Sequence, residues 1–104
     1  MTKDQIKELL NIQHYRSFRN ERQIKESQIC GCFYCKSIFN PEDVTEWCDN
    51  DGNGDPTALC PNCGIDSVLG DKCGVRITPS FLELMNLQFF GEGIDNVNVR
   101  VNEP

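Results

Sequence analysis

The 104-residue sequence predicts an α+β fold. Three observations carry that expectation: helical apolar spacing near both ends, two Cys-x-x-Cys pairs in the middle, and a valine-alternating tail. At this length a chain buries only about two-thirds of the surface its unfolded form exposes, so a covalent or metal staple adds needed stability. With 38% hydrophobic, 9% aromatic and 25% charged residues, the composition is that of an ordinary globular protein. The whole of 1–104 is read as one domain: a basic helical segment over 1–29, a cysteine-bearing core over 30–77, and an apolar helix with a strand over 78–104.

The elements follow in chain order. Thr2 and Gln5 match a capping box, and Ile6, Leu9 and Leu10 then fall at helical spacing, predicting a helix from about 3 to 18. A polar continuation follows through Arg19 to Gln28. Arg16, Arg19 and Arg22 recur at three-residue intervals there, as a body-docking face or a binding stripe. Asn40-Pro41-Glu42-Asp43 pairs a capping residue with proline and acids, predicting a short helix over 40–47. Asp49 to Pro56 reads as an exposed turn-rich loop. Its Asp49, Asp51, Asn53 and Gly54 fit the opening of a calcium loop, but the twelfth position, where a bidentate Glu belongs, is Cys60, so a plain acidic turn is favoured. Gly64 to Ile77 suggests short strands and turns. Thr78-Pro79 then opens an apolar helix over 79–90, rich in Phe81, Leu82, Leu84, Met85, Leu87, Phe89 and Phe90, that stops at Gly91. Val97, Val99 and Val101 alternate with polar residues, predicting a terminal strand whose exposed edge would add to another sheet, including that of a second copy.

Seven cysteines are an odd number, which disfavours full disulfide pairing. Met1 to Gln5 opens into a polar pattern without a leader-like apolar stretch, and no run approaches membrane-spanning length. A cytoplasmic protein with reduced thiols free to bind metal is expected. Cys32-Phe33-Tyr34-Cys35 and Cys60-Pro61-Asn62-Cys63 supply two knuckles, each able to aim two sulfurs and several backbone amides at one ion. Cys32, Cys35, Cys60 and Cys63 are therefore the expected ligands of one structural zinc ion in a zinc-ribbon-like core. The 24 residues between Cys35 and Cys60 slightly exceed the common ribbon spacing, which the intervening elements explain. Cys30, Cys48 and Cys73 are expected to be small buried hydrophobes, and His14, the single histidine, an ordinary helical residue.

The run Cys30-Gly31-Cys32-Phe33-Tyr34-Cys35, then Trp47, then Thr57 to Gly70 with Cys60-Pro61-Asn62-Cys63-Gly64-Ile65-Asp66-Ser67-Val68, then Ile77-Thr78, Phe81-Leu82 and Met85, resembles a family of small uncharacterised bacterial proteins labelled "cytoplasmic protein". The resemblance spans residues 14 to 90. It implies a bacterial or phage-borne zinc-ribbon-like protein and brings no activity with it. The acidic loop before Thr57 and the valine tail depart from the family pattern.

A shell closed by four sulfurs leaves no position for water or substrate, so a non-enzymatic binding module is the leading expectation, with another protein as partner. Phe33, Tyr34 and Trp47 are candidate contact aromatics, with packing around the metal as the alternative. Rubredoxin-like iron electron transfer shares the four-thiolate geometry and the Cys-Pro-x-Cys-Gly turn, but Lys36 follows Cys35 where glycine is usual. A metal hydrolase lacks its general base, and Asp66-Ser67 reads as turn capping. A nucleic-acid regulator would have to grip with the N-terminal segment. Residues 1–36 hold seven basic side chains against four acidic, net +3, and the rest three against twelve, net −9.

Overall fold

A computed structural model describes residues 1–96 of the chain. Helix α1 spans Lys3–Arg16, and the expected capping box starts it: the Gln5 amide donates to Thr2 Oγ1 at 3.1 Å and the Thr2 amide to Gln5 Oε1 at 2.8 Å. The helix stops two residues earlier than its pattern suggests. Ser17 turns its hydroxyl back onto the His14 carbonyl at 2.6 Å, and Arg19 takes a positive φ of 50°. The polar continuation is therefore a separate helix, α2, over Glu21–Glu26.

Strand β1 (Cys30–Cys32) is the centre of a three-stranded antiparallel sheet, flanked by β2 (Ile38–Phe39) and β5 (Val68–Gly70). A second sheet pairs β3 (Trp47–Cys48) with β4 (Thr57–Ala58). The short helix expected over 40–47 is only a single 3-10 turn, Pro41–Asp43. Its start is marked by the Asn40 amide donating to the Asp43 carboxylate at 3.1 Å. After it Val44 turns extended and buried, and Trp47 pairs with Ala58, so sheet pairing overrides the helical start. Cys48 consequently sits in a strand rather than at a helix end. Residues 64–77 give β5 and a 3-10 turn at Asp71–Cys73.

Helix α3 spans Pro79–Phe90, with the Thr78 hydroxyl accepting from the Phe81 amide at 3.2 Å. A last 3-10 turn covers Ile94–Asn96. The expected valine strand lies outside the described residues. Among those described, no helix is long and apolar enough to cross a membrane.

The central sheet separates two cores, because successive side chains of a strand point to opposite faces. Leu69 joins Ile6, Leu10, Phe33, Ile77, Leu82 and Met85 beneath α1 and α3. Its neighbour Val68 joins Ile24, Cys30, Cys32, Val44, Ala58 and Cys60 on the other side. Gly31 explains how closely α3 approaches: a Cβ there would lie 2.8 Å from Ile77 Cγ2 and 2.9 Å from Leu82 Cδ1. Asn20 ties the sheets together, donating to the Val68 carbonyl at 2.7 Å and accepting from the Ala58 amide at 3.0 Å while itself buried.

Candidate metal centre

The first knuckle is the turn between β1 and β2, and the second follows β4 and leads toward β5, so the site bridges the two sheets. Each knuckle closes with the same backbone bonds. The amide after the second cysteine donates to the carbonyl of the first, Lys36 to Cys32 at 2.8 Å and Gly64 to Cys60 at 2.9 Å. The first cysteine's amide donates five residues ahead, Cys32 to the Ser37 carbonyl at 3.0 Å and Cys60 to Ile65 at 2.9 Å. Closing the turn requires a left-handed residue, which is Gly64 at φ 81° in one knuckle and Lys36 at φ 65° in the other. The lysine thus takes the conformation that glycine would occupy without strain.

The sulfurs of Cys32, Cys35, Cys60 and Cys63 all lie within 4.8 Å of one another. Two cross-knuckle pairs, Cys32–Cys63 and Cys35–Cys60, stand at 3.7 Å. Bond lengths of about 2.3 Å at the tetrahedral angle place neighbouring sulfurs about 3.8 Å apart, so the cluster has the dimensions of a four-thiolate shell around one ion. These separations far exceed a disulfide bond of about 2.05 Å, and all seven cysteines are free thiols.

Donors surround the sulfurs. Cys32 Sγ meets the Tyr34 amide at 3.3 Å and the Ser67 hydroxyl at 3.1 Å, and Cys35 Sγ meets the Ser37 hydroxyl at 3.0 Å and the Asn62 side-chain amide at 3.5 Å. Cys60 Sγ accepts from the amides of Asn62 and Cys63 at 3.3 and 3.4 Å. Such bonds spread thiolate charge and orient the ligands. Sequence reading missed Ser37, Asn62 and Ser67, although serines and an asparagine beside the cysteines were the available signal.

Thiolates do not form equally easily here. Burial pushes the Cys32 thiol up to about 12 despite the Ser67 hydroxyl, and burial raises Cys63 too. Burial also acts against Cys35, but the Asn62 amide and the Ser37 hydroxyl and amide outweigh it and bring that thiol down to about 6. A divalent ion supplies the positive charge that makes all four tolerable in one cluster.

The other cysteines stand apart. Cys30 packs in the same core as Cys32, but its sulfur is not among the four that lie within 4.8 Å of one another. Burial, then Asp71 and Glu42, push its thiol up to about 12; burial also raises Cys73, and burial with Asp49 raises Cys48. His14 stacks on Phe89 with centroids 4.2 Å apart.

The acidic loop holds a cation of another kind. Arg19 sends its guanidinium into it, meeting both Asp51 oxygens at 3.1 and 2.8 Å and the Asp49 carbonyl at 3.4 Å. Asp51, bonded by Arg19 and the Asn53 amide, drops to about 2. Arg16 is likewise engaged, donating to the Cys73 carbonyl, while Arg22 is 80% exposed and lies 3.6 Å from Asp55. The contact aromatics also divide. Phe33 is 1% exposed in the larger core, Tyr34 is 48% exposed and packs edge-on against Phe90 at 4.9 Å, and half-buried Trp47 lies under Lys25 at 5.9 Å.

No protein family, curated protein or solved structure matched the chain in the comparisons made, so the reading of the site stands on its own geometry.

Proposed function

We propose that the protein is a non-enzymatic binding module whose fold is held by one structural zinc ion on Cys32, Cys35, Cys60 and Cys63, and that its partner is another protein. The observation that carries this reading is the pair of 3.7 Å sulfur contacts running between the knuckles rather than within them. An ion there ties the strand pair β3-β4 to the central sheet through the smaller core, in a zinc-ribbon-like arrangement. Four sulfurs fill a tetrahedral shell, which gives the metal a mechanical task and no open position for a substrate. Arg16 and Arg19 are engaged within the fold, which argues against a nucleic-acid role for the stripe, since phosphate binding draws on free cations. Exposed Tyr15, Phe18, Tyr34 and Phe90 favour a protein partner.

Metal analysis of the purified chain tests the reading. One zinc per chain in a colourless protein, replaceable by cobalt with the ligand-field bands of a tetrahedral tetrathiolate, is the expected result. A red, iron-bearing protein would transfer the site to electron transport, and a gel shift on duplex DNA at low salt that disappears on Arg16→Ala, Arg19→Ala and Arg22→Ala would reverse the choice of partner.

A further inference from the structure

A cavity of about 290 Å³ opens beside the first knuckle, where the end of α1 meets the end of α3. That volume lies at the lower end of ligand pockets, about 300–1,000 Å³, and is suited to one long side chain rather than a cofactor. Aromatic rings dominate its wall: His14, Tyr15, Phe18, Phe33 and Phe90. Tyr15 is 80% exposed, Phe18 53% and Phe90 47%, an unusual amount of aromatic surface to leave in water at one place.

The polar groups of the wall are nearly all engaged. The Ser17 hydroxyl is on the His14 carbonyl, Thr57 Oγ1 is between the Arg19 amide and Asp49, and the Ser67 hydroxyl is on Cys32 Sγ. Asp66 is the one acidic side chain of the wall. It is exposed, and its carboxylate has no hydrogen-bond or ion-pair partner among the described residues. A planar cation satisfies both features, because ring faces attract a guanidinium and a carboxylate pairs with it bidentately. The fold already uses that chemistry at the cavity's edge, where Arg19 lies over the Phe18 ring at 5.2 Å. Residues 37–104, which include Asp66, carry a net charge of −9 that favours a basic visitor at longer range.

The geometry points to an arginine-reading pocket: one arginine side chain of a partner protein enters between Tyr15, Phe18 and Phe90 and pairs with Asp66. This rests on the protein-partner reading above and specifies what that partner presents.

The test uses the full chain, isotopically labelled and zinc-loaded, titrated in NMR with three probes. These are a blocked Gly-Arg-Gly peptide, its citrulline counterpart of equal shape and no charge, and agmatine, which carries the guanidinium without a peptide backbone. The arginine peptide is expected to shift the amides of Tyr15, Phe18, Asp66 and Ser67 saturably, with citrulline at least about fivefold weaker, as loss of one charge-assisted pair implies. Asp66→Asn should lower the affinity by a similar factor, and Tyr15→Ala, at a site exposed enough to leave the fold intact, should lower it as well. Equal binding of citrulline, shifts scattered over the acidic surface, no shifts, or indifference to Asp66→Asn would each overturn the pocket. Agmatine binding at least about tenfold more tightly than the peptide would assign the site to a free amine and overturn the protein source. Zinc stoichiometry of the same samples separates the readings, because one zinc per chain with no shifts ends this inference and leaves the metal centre standing.

Discussion

Lys36→Gly is expected to stabilise the protein. The lysine holds φ at 65° so that its amide can reach the Cys32 carbonyl, while its counterpart in the other knuckle is Gly64 at φ 81°. A left-handed conformation costs an L-residue about 1–2 kcal/mol. Glycine removes that strain but gives back about 0.4–1 kcal/mol through its freer unfolded chain. The difference is a net gain centred on about 0.8 kcal/mol, or roughly 3–6 °C in melting temperature for a domain of this size. The mirror change, Gly64→Ala, meets no atom within 4 Å, so it adds strain of about 1–2 kcal/mol less about 0.4–1 kcal/mol recovered from the stiffer unfolded chain, a net cost centred on about 0.8 kcal/mol. Calorimetry at a fixed free-zinc concentration is the assay, since bound metal otherwise contributes to the apparent stability. Lys36→Gln, which removes the charge and keeps the strain, is the control and should change the melting point little. A destabilised Lys36→Gly or a neutral Gly64→Ala would refute the equivalence of the two knuckles.

Three further changes probe the scaffold. Gly31→Ala pushes a methyl into Ile77 and Leu82, and urea denaturation should show a loss of about 1–3 kcal/mol; a change under about 0.5 would mean that α3 yields freely. Asn20→Ala strips partners from a buried carbonyl on β5 and a buried amide on β4 and should cost about 2–4 kcal/mol by the same method. Asp51 has a folded pKa of about 2 beneath Arg19, so its contribution to stability is complete above the unfolded value of about 3.9 and is lost as pH falls through 2. A carboxyl NMR titration should show Asp51 returning toward about 3.9 in Arg19→Gln, and an unmoved value would break the pairing of the loop with Arg19.

Much of this organisation is legible locally. Capping chemistry at Thr2 and Thr78 placed two helices, and the paired spacing of Cys32, Cys35, Cys60 and Cys63 singled out the four sulfurs that the fold gathers. Features set by distant partners were not legible. The break after Arg16 serves Asn20, whose partners on β4 and β5 lie 38 and 48 residues ahead. The turn at Pro41 has every local mark of a helix, yet the strand pairing of Trp47 with Ala58 limits it to one turn. The acidic loop has the spacing of the start of a calcium site, yet the cation it meets is Arg19, 32 residues before Asp51, through the Asp51 carboxylate and the Asp49 carbonyl.

The central claim is that four particular sulfurs hold one metal ion, and native mass spectrometry of the seven single Cys→Ser variants tests it most directly. Structural zinc contributes on the order of 10 kcal/mol to folding, so the variants at Cys32, Cys35, Cys60 and Cys63 should lose zinc and fold together. Those at Cys30, Cys48 and Cys73 should each retain one zinc per chain. Zinc lost from one of the latter three while one of the four retains it would contradict the assignment.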